Sequence, residues 1–517
     1  MKKVSSARLS QLLFLAIFLV LFVKTEYRGR DELSAAVNSF FRADTLVAVS
    51  YLLAAKAWNW LIFPGMLLLL ATFLLGRFFC GWICPLGTVL DLLAGRIRRR
   101  GPLRLLQGNA KYWVLLPLLV SALFGVNLSG ILDPLAILLR GLSLSFYPIL
   151  GDGVRQGWAG LYGLVGERRD LLDPAFRLIR DNLLPFRDTF YPLAFASFAM
   201  LLSIIALEAT ESRAWCRRLC PLGTLLGIAS RFSLVRRSPI RLCSDCQACR
   251  ELCPTSFDRD LLNTEECIRC FACQEGCRNG RVVFRLTGGA HRGDEYLPER
   301  RALVGGMVSG FFLARLFRFR EPVASARLLR PPGVRTEREF LAACVRCGEC
   351  LKVCLKSALY PAVGQAGLEG LFTPVAIPRL GYCEYNCTLC GQVCPTGAIP
   401  RLQLPEKRRA VIGKAVFDKN HCLPFAKKTN CIVCEEHCPI PTKAIRSERV
   451  RTKDAAGRDV ELQLPYVVDD LCNGCGICEN VCPLEGKAGI EVFAVRDRTP
   501  LKEPVAAGGA ENDPYGG

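Results

Sequence analysis

The spacing of its cysteines is the feature that most constrains how this chain folds. The chain has 28 cysteines among 517 residues, and 24 of them fall into six groups of four. Four groups keep the spacing C-x2-C-x2-C-x3-C, whereas the first gap has three residues in group four and eight in group five. In chain order the groups are Cys243, Cys246, Cys249 and Cys253; Cys267, Cys270, Cys273 and Cys277; Cys344, Cys347, Cys350 and Cys354; Cys383, Cys387, Cys390 and Cys394; Cys422, Cys431, Cys434 and Cys438; and Cys472, Cys475, Cys478 and Cys482.

This spacing predicts cubane iron–sulfur clusters. Two-residue gaps let three sulfurs of one tight loop reach three irons of a [4Fe–4S] cluster, and the fourth cysteine, at the start of a following helix, points to a neighbouring cluster. Glycines such as Gly348, Gly474 and Gly476 let backbone N–H groups approach the sulfur atoms. We therefore expect six [4Fe–4S] clusters, with these 24 cysteines as ligands, in α+β modules like those of bacterial ferredoxins.

Zinc sites and disulfide bonds are the alternatives to clusters. Zinc ribbons use two C-x2-C pairs that are separated by a dozen or more residues, not four cysteines in one short run. Disulfide bonds need no such repeat, and they are rare in the reducing cytoplasm. The repeated spacing therefore favours iron–sulfur clusters over both.

The fourth cysteine of each group determines how the groups pair. Groups one and two are expected to form a two-cluster ferredoxin, with Cys277 completing the cluster of group one and Cys253 completing that of group two. Groups three to six are expected to form a four-cluster unit. Sequential pairing (three with four, five with six) and nested pairing (three with six, four with five) are both compatible with the spacing.

Uncharged apolar segments predict a membrane domain over residues 1–240. Ala57–Gly76, Tyr112–Leu132 and Thr189–Leu207 each approach the about 20 residues that a spanning helix needs. Leu9–Val23 is shorter, but flanking basic side chains can snorkel to the membrane surface. No small-x-small cleavage site follows it, so we interpret this segment as a retained anchor. The prediction is an α-helical domain with four spans.

Lysines and arginines predict the orientation of these spans. They are concentrated at the N-terminus, after the second span and after the fourth span, and the positive-inside rule places those regions in the cytoplasm. Loops 24–56 and 128–188 should face outward, with short apolar helices such as Thr45–Ala55 and Pro134–Leu139. The domain that holds groups one and two, residues 241–290, follows the fourth span and is expected in the cytoplasm.

An internal repeat marks the same half of the chain. The motif R-x-x-C-x-x-x-C-P-L-G-T begins at Arg77 and again at Arg213, each time just past an even-numbered span. Its four thiols, which the predicted topology brings to one membrane surface, are Cys80, Cys84, Cys216 and Cys220. They could jointly bind a metal, form redox pairs or line a quinone pocket, or they could be small buried residues that support a turn.

Composition excludes several other classes of protein. Three histidines and no C-x-x-C-H motif argue against a multi-haem protein. The chain has no P-loop motif and no G-x-G-x-x-G that opens a helix, so ATP-driven and Rossmann chemistry find no support. The formal charge of +20 would suit nucleic acid, but six bound clusters would lower it to about +8. We expect no nucleic-acid partner.

These motifs resemble those of two protein families. Residues 1–290 resemble NapH-type membrane ferredoxins, on the four spans, the paired C-x-x-x-C-P motifs and groups one and two. Residues 300–495 resemble NapG/MauM-type four-cluster ferredoxins, on groups three to six with the stretched gap in group five. The resemblance implies a fusion of a quinol-dehydrogenase subunit with a four-cluster ferredoxin. Related iron–sulfur subunits of molybdenum oxidoreductases have nested pairing.

The joint between the two parts, residues 291–335, is compatible with two topologies. Arg300 and Arg301 open an apolar, glycine-rich run that resembles the twin-arginine signal of NapG-type proteins. As a fifth span, this run would place the four-cluster domain, residues 336–495, in the periplasm. As a helix on the membrane surface, it would leave that domain in the cytoplasm. We favour the periplasm, and we expect residues 496–517 to form a flexible tail.

The leading functional hypothesis is an electron conduit in the bacterial inner membrane. Quinol or a cytoplasmic donor would reduce the protein, and electrons would pass along six clusters to a partner redox protein without a general base or nucleophile. The protein would then be an electron-transfer component, such as a quinol-dehydrogenase subunit. The alternative is an accessory factor that uses the thiols of the repeat to reduce a metal or thiol during assembly of a respiratory oxidase or reductase.

Overall fold

The computed structural model describes residues 6–33, 35–94, 110–165, 172–186, 189–237, 252–255, 265–277, 282–286, 300–318, 326–453, 459–495 and 501. Packing divides the chain into two compact units. The first comprises residues 1–325, 336–375 and 389–401, and the second comprises residues 326–335, 376–388 and 402–517. The predicted domain 336–495 is therefore shared between the two units. Cys243, Cys246, Cys249 and all but one residue of the predicted flexible tail lie outside the described residues.

The first unit is largely helical. Its helices are α1 (Ser6–Lys24), α2 (Asn38–Arg42), α3 (Thr45–Ala55), α4 (Phe63–Leu75), α5 (Phe79–Trp82), α6 (Pro85–Ala94), α7 (Ala110–Leu123), α8 (Ser129–Leu132), α9 (Pro134–Arg140), α10 (Tyr147–Val165), α11 (Asp173–Asn182), α12 (Ala194–Leu207), α13 (Ala214–Arg218), α14 (Pro221–Ser230), α15 (Ala272–Glu275), α16 (Arg300–Arg318), α17 (Glu337–Ala343), α18 (Glu349–Lys352) and α19 (Leu389–Val393). A 3₁₀ turn at Trp60–Ile62 precedes α4, and a π-helical turn at Gly141–Phe146 joins α9 to α10. Strand β1 (Val235–Arg237) pairs antiparallel with β2 (Phe284–Leu286), and β3 (Leu359–Pro361) pairs with β4 (Pro374–Ala376).

The second unit combines short helices with two antiparallel strand pairs. Its elements are α20 (Leu404–Arg409), β5 (Lys414–Phe417), α21 (Leu423–Ala426), α22 (Val433–Glu436), β6 (Ile445–Lys453), β7 (Asp459–Val467), α23 (Ile477–Asn480) and β8 (Ile490–Phe493). Strand β5 pairs with β8, with Lys414 opposite Phe493. Strand β6 pairs with β7, with Ile445 opposite Val467. This α+β arrangement is the one expected of ferredoxin-like modules.

Buried aspartates start two helices of the first unit. Asp44 Oδ1 accepts hydrogen bonds from the backbone N–H groups of Leu46 (2.7 Å) and Val47 (3.2 Å), at the start of α3. Asp133 Oδ2 accepts one from the N–H of Ala136 (2.8 Å), at the start of α9. Both carboxylates satisfy donors that have no partner within the first helical turn, which stabilises the helix starts.

Helix length tests the predicted spans. Among the described residues, two helices are long and apolar enough to cross a membrane, namely Ser6–Lys24 and the continuous stretch Pro134–Leu164. The other apolar helices have 10–17 residues: Thr45–Ala55, Trp60–Leu75, Pro85–Ala94, Ala110–Leu123, Ala194–Leu207 and Pro221–Ser230. Helix length alone therefore does not support four spans of about 20 residues.

Three predicted spans are longer than the helices that they contain. In Tyr112–Leu132 the helix ends at Leu123, because the chain turns at Gly125, whose φ of 83° lies in the left-handed region that favours glycine. The helix in Thr189–Leu207 likewise begins only at Ala194. An apolar segment thus locates a helix but does not define its ends.

The helices of residues 128–188 also differ from the prediction. Pro134–Leu139 is not the whole of a short helix, because the helical stretch continues through the π-helical turn into α10. The glycines and the single acid at Gly151, Asp152 and Gly153 interrupt the apolar pattern, but they do not interrupt the helix. The predicted helix is therefore present as α9, but the helical stretch that follows it was not predicted.

Helix α16 packs beside α7 and runs in the same direction. The contacts pair Gly305 with Trp113, Gly306 with Leu116 and Gly310 with Val120. A Cβ atom added at Gly310 would lie 2.6 Å from the Cβ of Val120, so glycine is needed for this close approach. The segment predicted as a fifth span or a surface helix therefore packs against another helix, α7, of the first unit.

The two ends of α7 contact different cysteine groups. At its start, Lys111 Nζ donates to Glu265 Oε2 (2.9 Å), just before group two. Beyond its end, Asn127 Nδ2 donates to the carbonyl of Ala342 (3.2 Å), just before group three. The 14 residues of α7 span about 21 Å. Groups two and three therefore lie near opposite ends of α7.

Large apolar side chains remain exposed along four of the helices. They are Leu9, Leu12, Leu13, Ile17, Leu19 and Val20 on α1; Phe63, Leu67, Leu70, Phe73, Leu74 and Leu75 on α4; Phe195, Phe198 and Leu202 on α12; and Val304, Met307, Val308, Phe311, Phe312 and Leu316 on α16. We call this set the apolar belt. Large exposed apolar areas are typical of surfaces that contact a membrane or another protein.

Candidate metal centres

A cavity of about 350 Å³ in the first unit is lined by cysteines of two groups, Cys344, Cys347 and Cys350 of group three and Cys394 of group four. The loop of group three leaves α17 at Cys344 and enters α18 at Gly348, whose φ of 86° is in the left-handed region. Cys394 directly follows α19. Three sulfurs from one group and one from the next thus surround one space.

Two further cavities of this kind lie in the second unit. One, of about 350 Å³, is lined by Cys422, Cys431, Cys434 and Cys482. The other, of about 320 Å³, is lined by Cys438, Cys472, Cys475 and Cys478. In each cavity, three cysteines of one group meet the fourth cysteine of the other. Groups five and six therefore exchange their fourth cysteines, as the ligand sets of two-cluster ferredoxins do.

The stretched gap of group five is compatible with this plan. Helix α21 forms a single turn immediately after Cys422. The N–H groups of Phe425 and Ala426 in this turn donate to the carbonyl of Cys422. Lys428 then adopts a left-handed φ of 52°, and the N–H of Thr429 donates back to the carbonyl of Leu423 (3.4 Å). The eight residues between the first two cysteines therefore fold back on themselves, and Cys431 reaches the same cavity as Cys422.

The three cavities follow sequential pairing. Group three shares a cavity with group four, and group five shares two with group six. The nested scheme, which the resemblance to molybdenum-oxidoreductase subunits implied, would instead join group three to group six. Of the other cysteines in these groups, Cys354 and Cys390 belong to the first unit, and Cys383 and Cys387 belong to the second.

Backbone N–H groups point at the fourth cysteines. The N–H of Ala358 donates to Cys354 Sγ (3.2 Å), that of Ile399 donates to Cys394 Sγ (3.4 Å), and that of Gly489 donates to Cys482 Sγ (3.3 Å). Such hydrogen bonds stabilise the negative charge of a ligated cluster and help to set its reduction potential. The cavities therefore provide both the thiols and the donors that a [4Fe–4S] cluster requires.

Burial controls the protonation of these thiols. Desolvation, followed by the charges of neighbouring cysteines, raises the pKa of Cys434 to about 12. As free thiols such groups stay neutral near pH 7, whereas a bound metal deprotonates a coordinating thiol outright. Among the described residues, no group of three or more His, Cys, Asp or Glu side chains has the geometry of a single-ion site. Four cysteines around one cavity are the number of ligands that a [4Fe–4S] cluster takes.

Group two lies beside the one cysteine of group one that the structure describes. Burial, together with the charges of Cys267 and Cys253, raises the pKa of Cys270 to about 11, so these side chains are within electrostatic range of each other. This proximity is compatible with the predicted assignment of Cys253 to the cluster of group two. Cys277 is predicted to share a cluster with Cys243, Cys246 and Cys249, and these three residues lie outside the described ranges.

The internal repeat brings its four cysteines together in the core of the first unit. Cys80, Cys84, Cys216 and Cys220 are all buried. Burial raises the pKa of Cys84 and of Cys220, and in both cases the charges of Cys80 and Cys216 raise it further. The four thiols therefore lie within electrostatic range, although two of them are more than a hundred residues from the others in sequence.

The two arginines of the repeat cross between its copies. Arg77 Nη2 donates to the carbonyl of Cys216 (2.8 Å), and Arg213 Nη1 donates to the carbonyl of Cys80 (2.8 Å). Arg213 also forms a bidentate pair with Asp91, with distances of 2.8 Å and 2.6 Å. Each copy thus holds the backbone of the other. We call these two arginines and the four thiols the crossed-arginine centre.

Group two packs against the first copy of the repeat. Trp82 Nε1 donates to the carbonyl of Arg269 (2.9 Å). A Cβ atom added at Gly81 would collide with the carbonyl oxygen of Ile268, so only glycine fits there. The second copy has Arg217 at the equivalent position. The repeat is therefore asymmetric where it contacts a cysteine group.

Sequence reasoning missed a buried arginine beside group three. Arg140 Nη1 donates to the carbonyls of Gly130 and Arg346, each at 2.7 Å. Its guanidinium lies 4.6 Å from the centre of the Phe372 ring. The signal was present in the sequence, because Arg140 is a charged residue within an otherwise apolar run. Such a residue needs buried partners, which group three supplies.

A comparison with protein families links the chain to iron–sulfur proteins. A family model described as a 4Fe-4S binding domain matches residues 57–104 and 193–240. These two segments contain the two copies of the internal repeat. No solved structure matches the chain.

Several named proteins are similar to part of the chain. The methylamine utilization ferredoxin-type protein MauM of Paracoccus denitrificans is 40% identical over 214 residues, which are 40% of this chain and 91% of that protein. MauM of Methylorubrum extorquens is 39% identical over 197 residues, 37% of this chain and 81% of that protein. The ferredoxin-type protein NapG of Escherichia coli is 40% identical over 167 residues, 32% of this chain and 70% of that protein.

Proposed function

Because the chain belongs to the MauM/NapG family of ferredoxin-type proteins, we propose that it carries electrons from the quinol pool, or from a cytoplasmic donor, to a partner redox protein. Its chemistry is that of a ferredoxin-type [4Fe–4S] electron-transfer protein. The observation that carries the proposal is the set of three cavities that are each lined by four cysteines. No general base or nucleophile is required, because a bound cluster exchanges single electrons.

Six clusters would use all 24 grouped cysteines. The first two would be held by Cys243, Cys246, Cys249 and Cys277, and by Cys267, Cys270, Cys273 and Cys253. The next four would follow sequential exchange, which the three cavities support for twelve of the remaining sixteen cysteines. The chain's own residues would orient the sulfurs, donate N–H hydrogen bonds to them and exclude water.

The first half of the chain would be a membrane domain of the NapH type, fused to the NapG/MauM-like part. The apolar belt supports a lipid environment, since a bilayer covers apolar surface that water would not. The short helices α7 and α12 would need their flanking segments, or local thinning of the bilayer, to cross it. Cysteine groups two and three at opposite ends of α7 would then face opposite sides of the inner membrane, with group three in the periplasm.

Accessibility of a tag tests this topology. A tag placed after Gly517 should be reached by an impermeant label in spheroplasts, because α16 runs parallel to α7 and would carry the chain across the membrane. A tag before Met1 is the control and should stay protected until the membrane is lysed. Protection of both tags would contradict the proposed crossing and would place the four-cluster part in the cytoplasm.

A second function is favoured by the crossed-arginine centre. Four buried thiols that lie close together could serve an accessory factor that reduces a metal or thiol for a partner oxidase or reductase. The match of a 4Fe-4S binding family model to both copies of the repeat also allows a further metal site at these thiols. The thiols are not needed for the six-cluster conduit.

One experiment separates the two functions. In membrane vesicles, quinol should bleach the broad cluster absorbance near 400 nm, and Cys80→Ala should leave that bleaching intact if the thiols only support the fold or serve assembly. Ser197→Ala, a buried change in the same unit, is the control. Loss of the partner's metal content in Cys80→Ala, with bleaching unchanged, would favour the assembly function. Absence of quinol-driven bleaching in the wild-type protein would contradict the quinol-fed conduit.

A further inference from the structure

A partly open cavity lies between the residues that follow α1, the π-helical turn before α10 and the loop that carries Cys354. Tyr147, Phe186 and Tyr191 contribute aromatic side chains to its lining, and Glu26 and Lys352 contribute charge. The lining thus combines aromatic walls with a few polar groups, which is typical of sites for small organic ligands. It belongs entirely to the first unit.

The polar groups of this cavity are held in place by the protein. Tyr147 Oη donates to Glu26 Oε2 (3.0 Å), and the backbone N–H of Phe186 donates to Glu26 Oε1 (2.7 Å). Lys352 Nζ donates to the carbonyl of Thr25 (2.9 Å) and lies 4.0 Å from Glu26 Oε2. Glu26 is 8% exposed. The carboxylate is therefore fixed and almost dry, which makes it a defined acceptor for a ligand proton.

One polar atom in the lining has no partner in the protein. Ser143 is 4% exposed, and its Oγ makes no hydrogen bond within the described part of the chain. Ser143 lies in the π-helical turn, a type of distortion that is frequent at functional sites. A buried hydroxyl without a partner costs stability. A ligand oxygen would satisfy it.

The surroundings of the cavity suit a ligand that arrives from lipid. Exposed apolar side chains flank the residues of its lining, namely Phe146, Ile149, Leu150, Leu183 and Phe186. Tyr27 and Phe186 meet edge to face at 5.4 Å beside the opening. These residues follow the outer end of α1, whose exposed leucines belong to the apolar belt. An amphipathic ring with an apolar tail could therefore enter without crossing water.

We propose that this cavity binds a lipid-soluble quinol as the electron donor. The inference rests on the proposed electron-carrier function and locates its donor site. The aromatic side chains would hold the ring, Ser143 would hydrogen bond to one ring oxygen, and Glu26 would accept the proton of a hydroxyl group. This position differs from the quinone site that the sequence suggested at the crossed-arginine centre.

Quinol oxidation at this site has an acceptor for both electrons and both protons. A quinol becomes a quinone by losing two electrons and two protons. Oxidised [4Fe–4S] clusters are the one-electron acceptors, and the proposed ligand Cys354 lies in the wall of the cavity. The carboxylate of Glu26 takes one proton, and water at the opening takes the other. Lys352 and Tyr147 position the carboxylate and do not change their own protonation.

Photolabelling of the cluster-loaded chain in detergent tests the site. An azido-ubiquinone with a short tail should label peptides that contain residues 143–148 and 351–357, and decylubiquinone should compete. Ser143→Ala should weaken competition by about 2- to 12-fold, which corresponds to one lost hydrogen bond. Ser143→Leu should abolish labelling by filling the cavity. The matched control is Ser197→Ala, which removes another buried hydroxyl without a described partner, away from the cavity.

Glu26→Gln adds a second readout that does not depend on filling the cavity. It should slow quinol-driven bleaching at least tenfold and leave dithionite-driven bleaching and iron content unchanged, whereas Glu32→Gln, an exposed acid nearby, should change neither. Labelling that is equal in wild type and Ser143→Ala, or that maps near Cys80 and Cys220, would overturn the site but not the electron-carrier function. Clusters that dithionite cannot reduce would instead contradict the carrier function itself.

Discussion

Cys482→Ala should remove one cluster and release three thiols of a different cysteine group. In the second unit, Cys482 lines the same cavity as Cys422, Cys431 and Cys434. Without its fourth ligand the [4Fe–4S] cluster is exposed to solvent and should dissociate. The iron content should then fall by about four atoms per chain. Alkylation of the folded protein, followed by mass spectrometry, should then modify Cys422, Cys431 and Cys434.

The reciprocal variant is the matched control. Cys438→Ala should release Cys472, Cys475 and Cys478, because those cysteines share the other cavity of the second unit. Nested pairing instead predicts that loss of Cys482 exposes the thiols of group three. Alkylation of Cys344, Cys347 and Cys350 in Cys482→Ala would therefore contradict the exchange between groups five and six.

Arg213→Ala should destabilise the helical unit by about 1.5–3 kcal/mol, the cost of losing hydrogen bonds of a charged group whose own side chain is fully buried. The Arg213 side chain is fully buried, and it makes one hydrogen bond to Cys80 of the other copy of the repeat and two to Asp91, just beyond that copy. Its loss would leave the Asp91 carboxylate with only the amide of Gln11 as a described side-chain partner (3.0 Å). Chemical unfolding in mixed micelles measures the effect.

Arg218→Ala is the control for this prediction. Arg218 pairs with Glu211 (2.6 Å) in the same region, but its side chain is 23% exposed, and Glu211 keeps Arg217 as a second partner. Partly exposed pairs of this kind contribute about 0–1 kcal/mol. An equally small effect of Arg213→Ala would show that the crossed arginines do not hold the two copies together.

The cysteine groups could be predicted from the sequence because their ligand spacing is local. Three sulfurs of one loop must reach one cluster, and this requirement fixes the gaps within a group. The partner of each fourth cysteine could not be predicted, since it depends on which groups meet in space. The structure places Cys394 with group three and Cys482 with group five, and neither pairing is visible in the spacing.

The helices were predicted in position but not in length. Apolar composition located α1, α4, α7 and α12, because each must be covered by core or lipid. Their ends depend on local backbone geometry, such as the left-handed Gly125 beyond α7, which composition does not report. The continuation of α9 into α10 was missed for the opposite reason, since glycines and Asp152 hid a helix from a hydropathy pattern.

The long-range contacts could not be predicted at all. Arg77 and Arg213 open the two copies of the repeat, and both are buried where the copies meet. Ser143 and Glu26 carry no motif, and only the fold brings them to the loop of Cys354. Residues that act through tertiary contact leave little trace in a single sequence, unless a charge sits in an apolar run as Arg140 does.

Iron and acid-labile sulfide measured on anaerobically purified protein test the central claim most directly. Six [4Fe–4S] clusters require about 24 atoms of each per chain. The account predicts values near this number, before or after reconstitution, together with broad absorbance near 400 nm. Iron and sulfide far below it after reconstitution, or colourless protein with about six zinc ions per chain, would contradict the account.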